Sequence, residues 1–307
     1  MPPCSLVVLG EALVDEFHDG PVAGGAPFNV ARSLATLGAP TLFISRIGAD
    51  DANGRLVLDS ARRYGLGEQG LQRDAARATG RVSVHEKAGG GHSFEIHADA
   101  AWDHLDAAAA RTALAGARAS VLYFGSLAQR HVVSRAAIRA LAKTFTGLRF
   151  LDLNLRPGTD NALFAAESLM LADWVKVNDE ELARLAVWFD AAGDEAAQIA
   201  SLMARFALQR VVLTLGADGW RFYGPGGVLL ADGPGVPQAH VVDTVGAGDS
   251  FTAMLLAGHS LGRDMTATLT LANQFASFIC GQRGPLPGDA QALTPWRDAL
   301  QALPPSP

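Results

Sequence analysis

The periodicity of this chain switches repeatedly between short apolar runs of β type and longer amphipathic runs of helical type, and that alternation is the strongest limit on its fold. Strand candidates are SLVVLG (5–10), APTLFISRIG (39–48), ASVLYFGS (119–126), RFLDLNLR (149–156), WVKVN (174–178) and RVVLTLG (210–216). Helical patterns fall between and after them, at 27–38, 53–65, 134–145, 180–189, 195–207, 250–262 and 265–282. Strands alternating with helices of this length form a largely parallel sheet covered by helices. At 307 residues the chain is long enough to bury a sizeable core in one large α/β unit.

One segment breaks the alternation. TGRVSVHEKAGGGHSFEIHA, from about Thr79 to Ala98, reads as two alternating strands joined by the turn KAGGG, a hairpin with one polar face. Together with ALVDEFHDG (12–20) it predicts a small sheet standing off the main layers, a lid over the edge where ligands bind. The expectation is one domain over 1–307 with a discontinuous lid at about 12–23 and 78–100. Further along, GADGWRFYGPGG and VLLADGPGVPQAHVVD return to strand alternation, as antiparallel edge strands would, and TPWRDALQAL forms a short terminal helix.

Composition removes several partners. The net charge is −6, with 25 basic against 31 acidic residues and no basic patch or tail, which argues against nucleic acid or an anionic membrane surface. The N-terminal MPPCSLVVLGEALVDEF has no basic leader and gains acids at once, so it reads as a buried first strand and not a signal peptide. No run approaches the roughly 20 apolar residues of a spanning helix. Cys4 and Cys280 are far apart and outside metal-ligand spacing, so the expected compartment is the reducing cytoplasm.

Some patterns mislead. Gly65, Gly67 and Gly70 in GLGEQG match a dinucleotide fingerprint, but they follow an amphipathic helix instead of a strand, so Gly65 reads as that helix's C-terminal cap. His85, His92 and His97 share the hairpin; a metal pair of His85 and His97 is conceivable, and solvated histidines are the plainer reading.

The chemistry concentrates in DTVGAGDSF (243–251). The small residues Gly246, Ala247 and Gly248 let backbone N–H groups converge at a helix start, which makes an anion hole. Asp249, in the first turn of that helix, is placed to take a proton from an attacking hydroxyl beside a bound phosphate. Alone, the motif reads equally as an ordinary turn with Asp249 as the helix cap.

Other motifs shift that balance. GGAPFNVARSLATLG (24–38) is a second glycine-led helix start, where Gly24 and Gly25 permit close ligand approach and the Asn29 amide can both donate and accept, as sugar hydroxyls require. Asp15 follows the first strand, where a carboxylate can accept from two neighbouring hydroxyls. In LDLNLRP, Asp152, Asn154 and Arg156 alternate with leucines and so share one strand face; Lys176 and Asn178 do the same in WVKVNDEEL, with Glu181 at the next helix start. Polar residues repeated along a buried parallel strand are costly unless they line a site.

GGAPFNVARSLATLG, VKVNDEEL, TLGADG and DTVGAGDSFTAMLL resemble, in order and spacing, the motifs of the ribokinase-like (PfkB-type) carbohydrate kinases, over nearly the whole chain. The resemblance implies a three-layer α/β/α fold with a mostly parallel central sheet and a small β lid, ATP with Mg²⁺ as phosphoryl donor, and a sugar or sugar-like alcohol as acceptor. It makes Asp249 the base, with the anion hole on Gly246, Ala247 and Gly248, and gives sugar contacts to Asp15, Gly24, Gly25 and Asn29. Asn178 and Glu181 match the family's NxxE motif, linked to magnesium and phosphate. Thr214, Gly216, Ala217 and Gly219 match the strand and turn that hold the nucleotide, Asn273 lies where a late helix approaches adenine, and Lys176 is grouped with these nucleotide-side residues. Asp243 and Thr244 match the loop that often binds a monovalent cation such as K⁺, whereas the accompanying C-terminal segment is matched only loosely by CGQRGPLPG. DLNLRP and FEIHADAAWDHL are similar to fructokinase-type members, which would set Arg156 near the acceptor or the transferred phosphate. The expected acceptor order is fructose, then 2-keto-3-deoxygluconate, then ribose or a nucleoside. The rival of another class is a non-catalytic sugar- or nucleotide-binding protein on the same fold. A lid hairpin with an apolar face often pairs with its copy, which points to a homodimer.

Overall fold

In β1 (Ser5–Leu9) the side chains of Val7 and Leu9 join one buried cluster and those of Leu6 and Val8 another, so the period-two alternation of a single strand divides the core between the two faces of a sheet. The structure is a computed structural model that describes residues 5–18, 20–86, 92–156, 158–238 and 240–306. The main sheet has nine strands, in the order β13-β12-β11-β10-β9-β8-β1-β4-β5. Its parallel members are β1, β4 (Thr41–Gly48), β5 (Leu71–Asp74), β8 (Ala119–Gly125), β9 (Leu148–Asp152), β10 (Trp174–Asn178) and β11 (Arg210–Thr214). The expected antiparallel edge is β12 (Trp220–Gly224) with β13 (Val228–Gly233).

Helices cover both faces. α1 (Ala26–Thr36), α2 (Ala52–Arg63), α8 (Ala247–Ser260), α9 (Met265–Cys280) and α10 (Thr294–Ala302) pack over Leu6, Val8, Phe43, Tyr123 and Phe150. On the opposite face α3 (Ala107–Gly116), α4 (Val132–Thr144), α5 (Ala162–Leu169), α6 (Asp179–Trp188) and α7 (Glu195–Phe206) cover Val7, Leu9, Phe124, Val177 and Leu213. Phe28, Phe43, Phe124, Phe150 and Phe275 are fully enclosed between these layers. Gly65, at φ +71°, follows α2 in the left-handed conformation expected of a cap. Among the described residues, no helix is long and apolar enough to cross a membrane.

A second sheet has the order β3-β2-β6-β7, from β2 (Leu13–Phe17), β3 (Gly20–Gly24), β6 (Gly80–Glu86) and β7 (His92–Ile96). The β2–β3 and β6–β7 pairs are antiparallel, and the two halves join through parallel β2–β6 pairing, with Leu13 opposite Gly80. The expected KAGGG turn lies outside the described residues. His85 does not meet His97: it stands opposite Ser93 and reaches Glu95 at 3.5 Å, while His97 shares a 2.8 Å hydrogen bond with Ser83. Among the described residues, no group of three or more His, Cys, Asp or Glu could hold a metal.

Candidate active site

The order of the main sheet reverses at β1, which lies between β4 and β8, and a ligand crevice opens beyond the carboxyl ends of strands at such a point. The chain leaves β1 there, builds half of the lid, and returns through Gly24 and Gly25 into α1.

Asp249 sits in the first turn of α8 and is buried, 9% exposed. It is not the helix cap. That position belongs to Gly246, at φ +80°, with no side-chain cap bond, and a Cβ there would lie 2.5 Å from the Pro285 Cα. Only glycine both adopts this conformation without strain and fits that gap. Of the amides expected in the anion hole, that of Ala247 donates to the Thr244 carbonyl at 3.3 Å. That of Gly248 lies where the helical ladder offers no acceptor, and so does that of Asp249, which was not among those expected. A Cβ on Gly248 would stand 3.5 Å from the Lys176 Nζ, so the lysine ammonium flanks the same helix start.

Asn29, near the start of α1, donates from Nδ2 to the Asp249 Oδ2 at 2.7 Å. Its Oδ1 accepts from the Arg32 Nη2 at 2.5 Å, so both ends of the amide face inward and one N–H remains for an acceptor. Burial pushes the Asp249 carboxyl up to about 6; the Asn29 bond opposes this, Asp152 adds to it, and Lys176 and Arg156 pull it down. Asp15, on β2, lies against Gly24, where a Cβ would meet its Oδ2, and burial raises it to about 6 against the pull of Arg32.

Lys176 donates to both oxygens of Asp152, at 2.9 and 3.0 Å, and Thr252 donates to the Asp152 Oδ2 at 2.9 Å. Burial works against the ammonium, but Asp152 and Glu181 outweigh it and its pKa is raised. The expectation of one strand face for Asp152, Asn154 and Arg156 needs correction. β9 ends at Asp152, Asn154 has φ +40°, and Arg156 is exposed in a loop, with Nη1 on the Leu155 carbonyl. Its charge still reaches the carboxyls of Asp249 and Glu11.

Asn178 caps α6 in a reciprocal box with Glu181: the Asn178 Oδ1 accepts from the Glu181 amide at 2.8 Å, and the Glu181 Oε2 accepts from the Asn178 amide at 3.0 Å. Glu181 Oε1 accepts from the Leu155 amide at 2.8 Å, so the motif also anchors the loop after β9. With both oxygens bonded to backbone, these side chains suit a cation that keeps its waters and is held mainly by phosphates, as Mg²⁺ is. Toward the sheet edge, Thr214 ends β11, and Gly216 and Ala217 form an exposed turn before Gly219. Asn273 spends an amide N–H on the Pro234 carbonyl at 2.9 Å, holding the loop that faces this turn. The Asp243 carboxylate accepts from the amides of Val245 (3.0 Å) and Gly284 (3.2 Å), joining the loop with Thr244 to the C-terminal segment.

Sequence reasoning passed over two buried groups. Arg32 falls on the same face of α1 as Phe28 and Asn29, and a cation inside an apolar stripe is the signal that marks it. Glu11 follows Gly10 just past the end of β1; burial raises its carboxyl to about 7, its own amide opposes this, and Asp249 adds to it.

A buried carboxylate beside a glycine-started helix and a lysine ammonium, under a lid at the switch point, is the arrangement of a phosphotransferase acting on alcohols. The chain matches the pfkB family carbohydrate kinase over residues 5–291, and it belongs to that family. It is 32% identical over 313 residues to a fructokinase of Klebsiella pneumoniae, covering 96% of this chain and 97% of that one. The fold is shared with the crystal structure of a Xylella fastidiosa fructokinase with bound ATP, at a TM-score of 0.81, 24% identity and 97% and 98% coverage. It is shared too with a Vibrio cholerae O395 fructokinase double mutant in its fructose-, ADP- and potassium-bound form, at a TM-score of 0.76, 24% identity and 95% and 98% coverage.

Proposed function

We propose that this carbohydrate kinase transfers the γ-phosphoryl group of Mg-ATP to a primary hydroxyl of fructose, within one domain whose lid, at about 12–23 and 78–100, closes over the sugar. The observation that carries this reading is the buried Asp249, held by Asn29 at 2.7 Å at the start of α8. With Oδ2 occupied by Asn29, Oδ1 accepts the hydroxyl proton. The sugar oxygen then bonds to the γ-phosphorus while the bond to the β–γ bridging oxygen breaks, ADP leaves with that electron pair, and the proton passes from Asp249 to solvent. The first-turn amides of α8, Lys176 and Arg156 face the negative charge that spreads over the transferring group. Gly24, Gly25 and Asp15 line the sugar side; Thr214, Gly216, Ala217, Gly219 and Asn273 line the nucleotide side.

Asn178 and Glu181 would hold the magnesium through water, and the ion would neutralise charge between the β- and γ-phosphates. Asp243 and Thr244 supply the loop for a monovalent cation. The working form is a cytoplasmic homodimer, for which light scattering should give twice the chain mass.

ADP release measured against fructose, 2-keto-3-deoxygluconate, ribose, tagatose and adenosine, with and without potassium, tests the assignment. Fructose should give the highest kcat/KM, and Asp249→Asn should abolish turnover while calorimetry still detects the sugar. Turnover in the purified Asp249→Asn protein would remove the base, and a preference for 2-keto-3-deoxygluconate or ribose would reassign the acceptor.

A further inference from the structure

Arg32 is 3% exposed, yet its guanidinium is spread over three separate pieces of chain. Nη2 donates to the Asn29 Oδ1 at 2.5 Å and to the Ala23 carbonyl at 3.0 Å, and Nη1 donates to the Ser60 Oγ on α2 at 2.6 Å. Its Cζ lies 4.2 Å from the centroid of the Phe28 ring and 5.5 Å from that of Tyr64. Ala23 belongs to β3, an edge strand of the lid, directly before the glycine pair that leads into α1.

Resting on the reading of Asp249 as the base, we propose that Arg32 is a positioning residue that fixes which end of the Asn29 amide faces Asp249 and ties that choice to the lid hinge. The orientation follows from donor chemistry alone. A guanidinium has only N–H donors, so the amide atom facing it is the oxygen. The nitrogen is thereby turned toward Asp249, whose Oδ2 receives an N–H. Without Arg32 the amide is free to rotate by half a turn and set its oxygen against the carboxylate, an arrangement that only a protonated Asp249 accommodates. A base that holds its proton cannot take another, so loss of Arg32 converts a geometric fault into a deficit of base.

The other charged groups around Asp249 act differently. Glu11 after β1, Tyr123 on β8, Asp152 on β9, Arg156 in the following loop and Lys176 on β10 interact with it through charge, whereas Asn29 on α1 donates a hydrogen bond. Arg32 acts in both ways: its charge reaches Asp249 and Asp15, and its hydrogen bond sets Asn29. The Ala23 contact makes the same guanidinium a support of the hinge, so opening of the lid and disorder of the base are coupled.

The test is the pH dependence of kcat/KM for the sugar in wild type, Arg32→Met and Arg32→Lys, with thermal unfolding confirming that each is folded and Asp249→Asn as the blank. Wild type should lose activity on the acid side near pH 6. In Arg32→Met that limb should move up by about one pH unit, which lowers kcat/KM about tenfold at pH 5 and about twofold at pH 7, as expected when a general base is partly protonated. Arg32→Lys keeps the charge but not the fork, and should restore less than half of the lost kcat/KM. An unchanged acid limb and unchanged kcat in folded Arg32→Met would reduce Arg32 to a packing residue. If Arg32→Met does not fold, Arg32→Gln takes its place, because a glutamine amide can present its oxygen as readily as its N–H to Asn29, and an unchanged acid limb in folded Arg32→Gln overturns the proposal. Turnover in the Asp249→Asn blank instead strikes at the base assignment, which separates the two failures.

Discussion

Glu11 shows how a single side chain at the strand tips makes folding depend on pH. Its carboxyl is 3% exposed and raised from 4.5 to about 7, by burial first and by Asp249 besides. Folding therefore favours its protonated form. The stability it contributes is fully present below pH 4.5, is lost as the pH rises through about 7, and changes little above that. Glu11→Gln keeps the shape and removes the titration, so urea unfolding should show a gain of up to roughly 3 kcal/mol at neutral pH and a flatter pH dependence across that window. A variant with the wild-type slope would mean that Glu11 is ionised in the folded protein. Tyr123 points to the same pressure: its buried hydroxyl stands near Asp152, Asp249 and Glu11, and its pKa is driven well above the ordinary value. Three acids in so small a volume require the compensating charges of Lys176, Arg156 and Arg32.

At the scale of elements, α8 is the part whose start cannot vary. Gly246→Ala should destabilise the protein by about 1–3 kcal/mol through the strained left-handed cap, and it should lower kcat by about a hundredfold or more as the first-turn amides shift. Gly262→Ala is the control. It has φ +64° just past the end of α8 and nothing within 4 Å of an added Cβ, so it should lose stability through backbone strain alone, less than Gly246→Ala, and keep kcat. Equal kcat losses in the two would assign the effect to stability alone. Most elements were legible in the sequence because their periodicity is strong: WVKVN is β10 to the residue, and α7 ends within one residue of its expected limit. α3 escaped because AAAARTALAG has few large apolar residues to mark a face, α5 because eight residues carry barely two turns, and β5 because LQRD alternates little. RFLDLNLR read as one strand to 156, since alternation continues through the leucines; the left-handed Asn154 ends the ladder and no local pattern announces it. For the site, motif residues were visible through their glycines and carboxylates, whereas Arg32 depends on which helix face is buried, and that is decided by tertiary contacts with Ala23, 9 residues before it, and with Ser60 on α2, 28 residues after it.

For the whole molecule, the lid is built from two pairs of strands separated in sequence by α1, β4, α2 and β5, and among the described residues strand pairing joins them only at β2–β6. Hydrogen exchange should therefore slow across β2, β3, β6 and β7 together when the sugar binds, with little change there under Mg-ADP alone. Protection of one pair without the other would mean that the small sheet does not move as a unit. The same remoteness governs the proposed base and its amide partner: the Asn29–Asp249 bond spans 220 residues. Contacts of such separation form late and slowly in folding. On a ribosome, a nascent chain displays the proposed sugar cradle of Asp15, Gly24, Gly25 and Asn29 long before it possesses residue 249, and under the proposed mechanism it can neither consume nucleotide nor phosphorylate sugar until α8 has emerged and docked against α1.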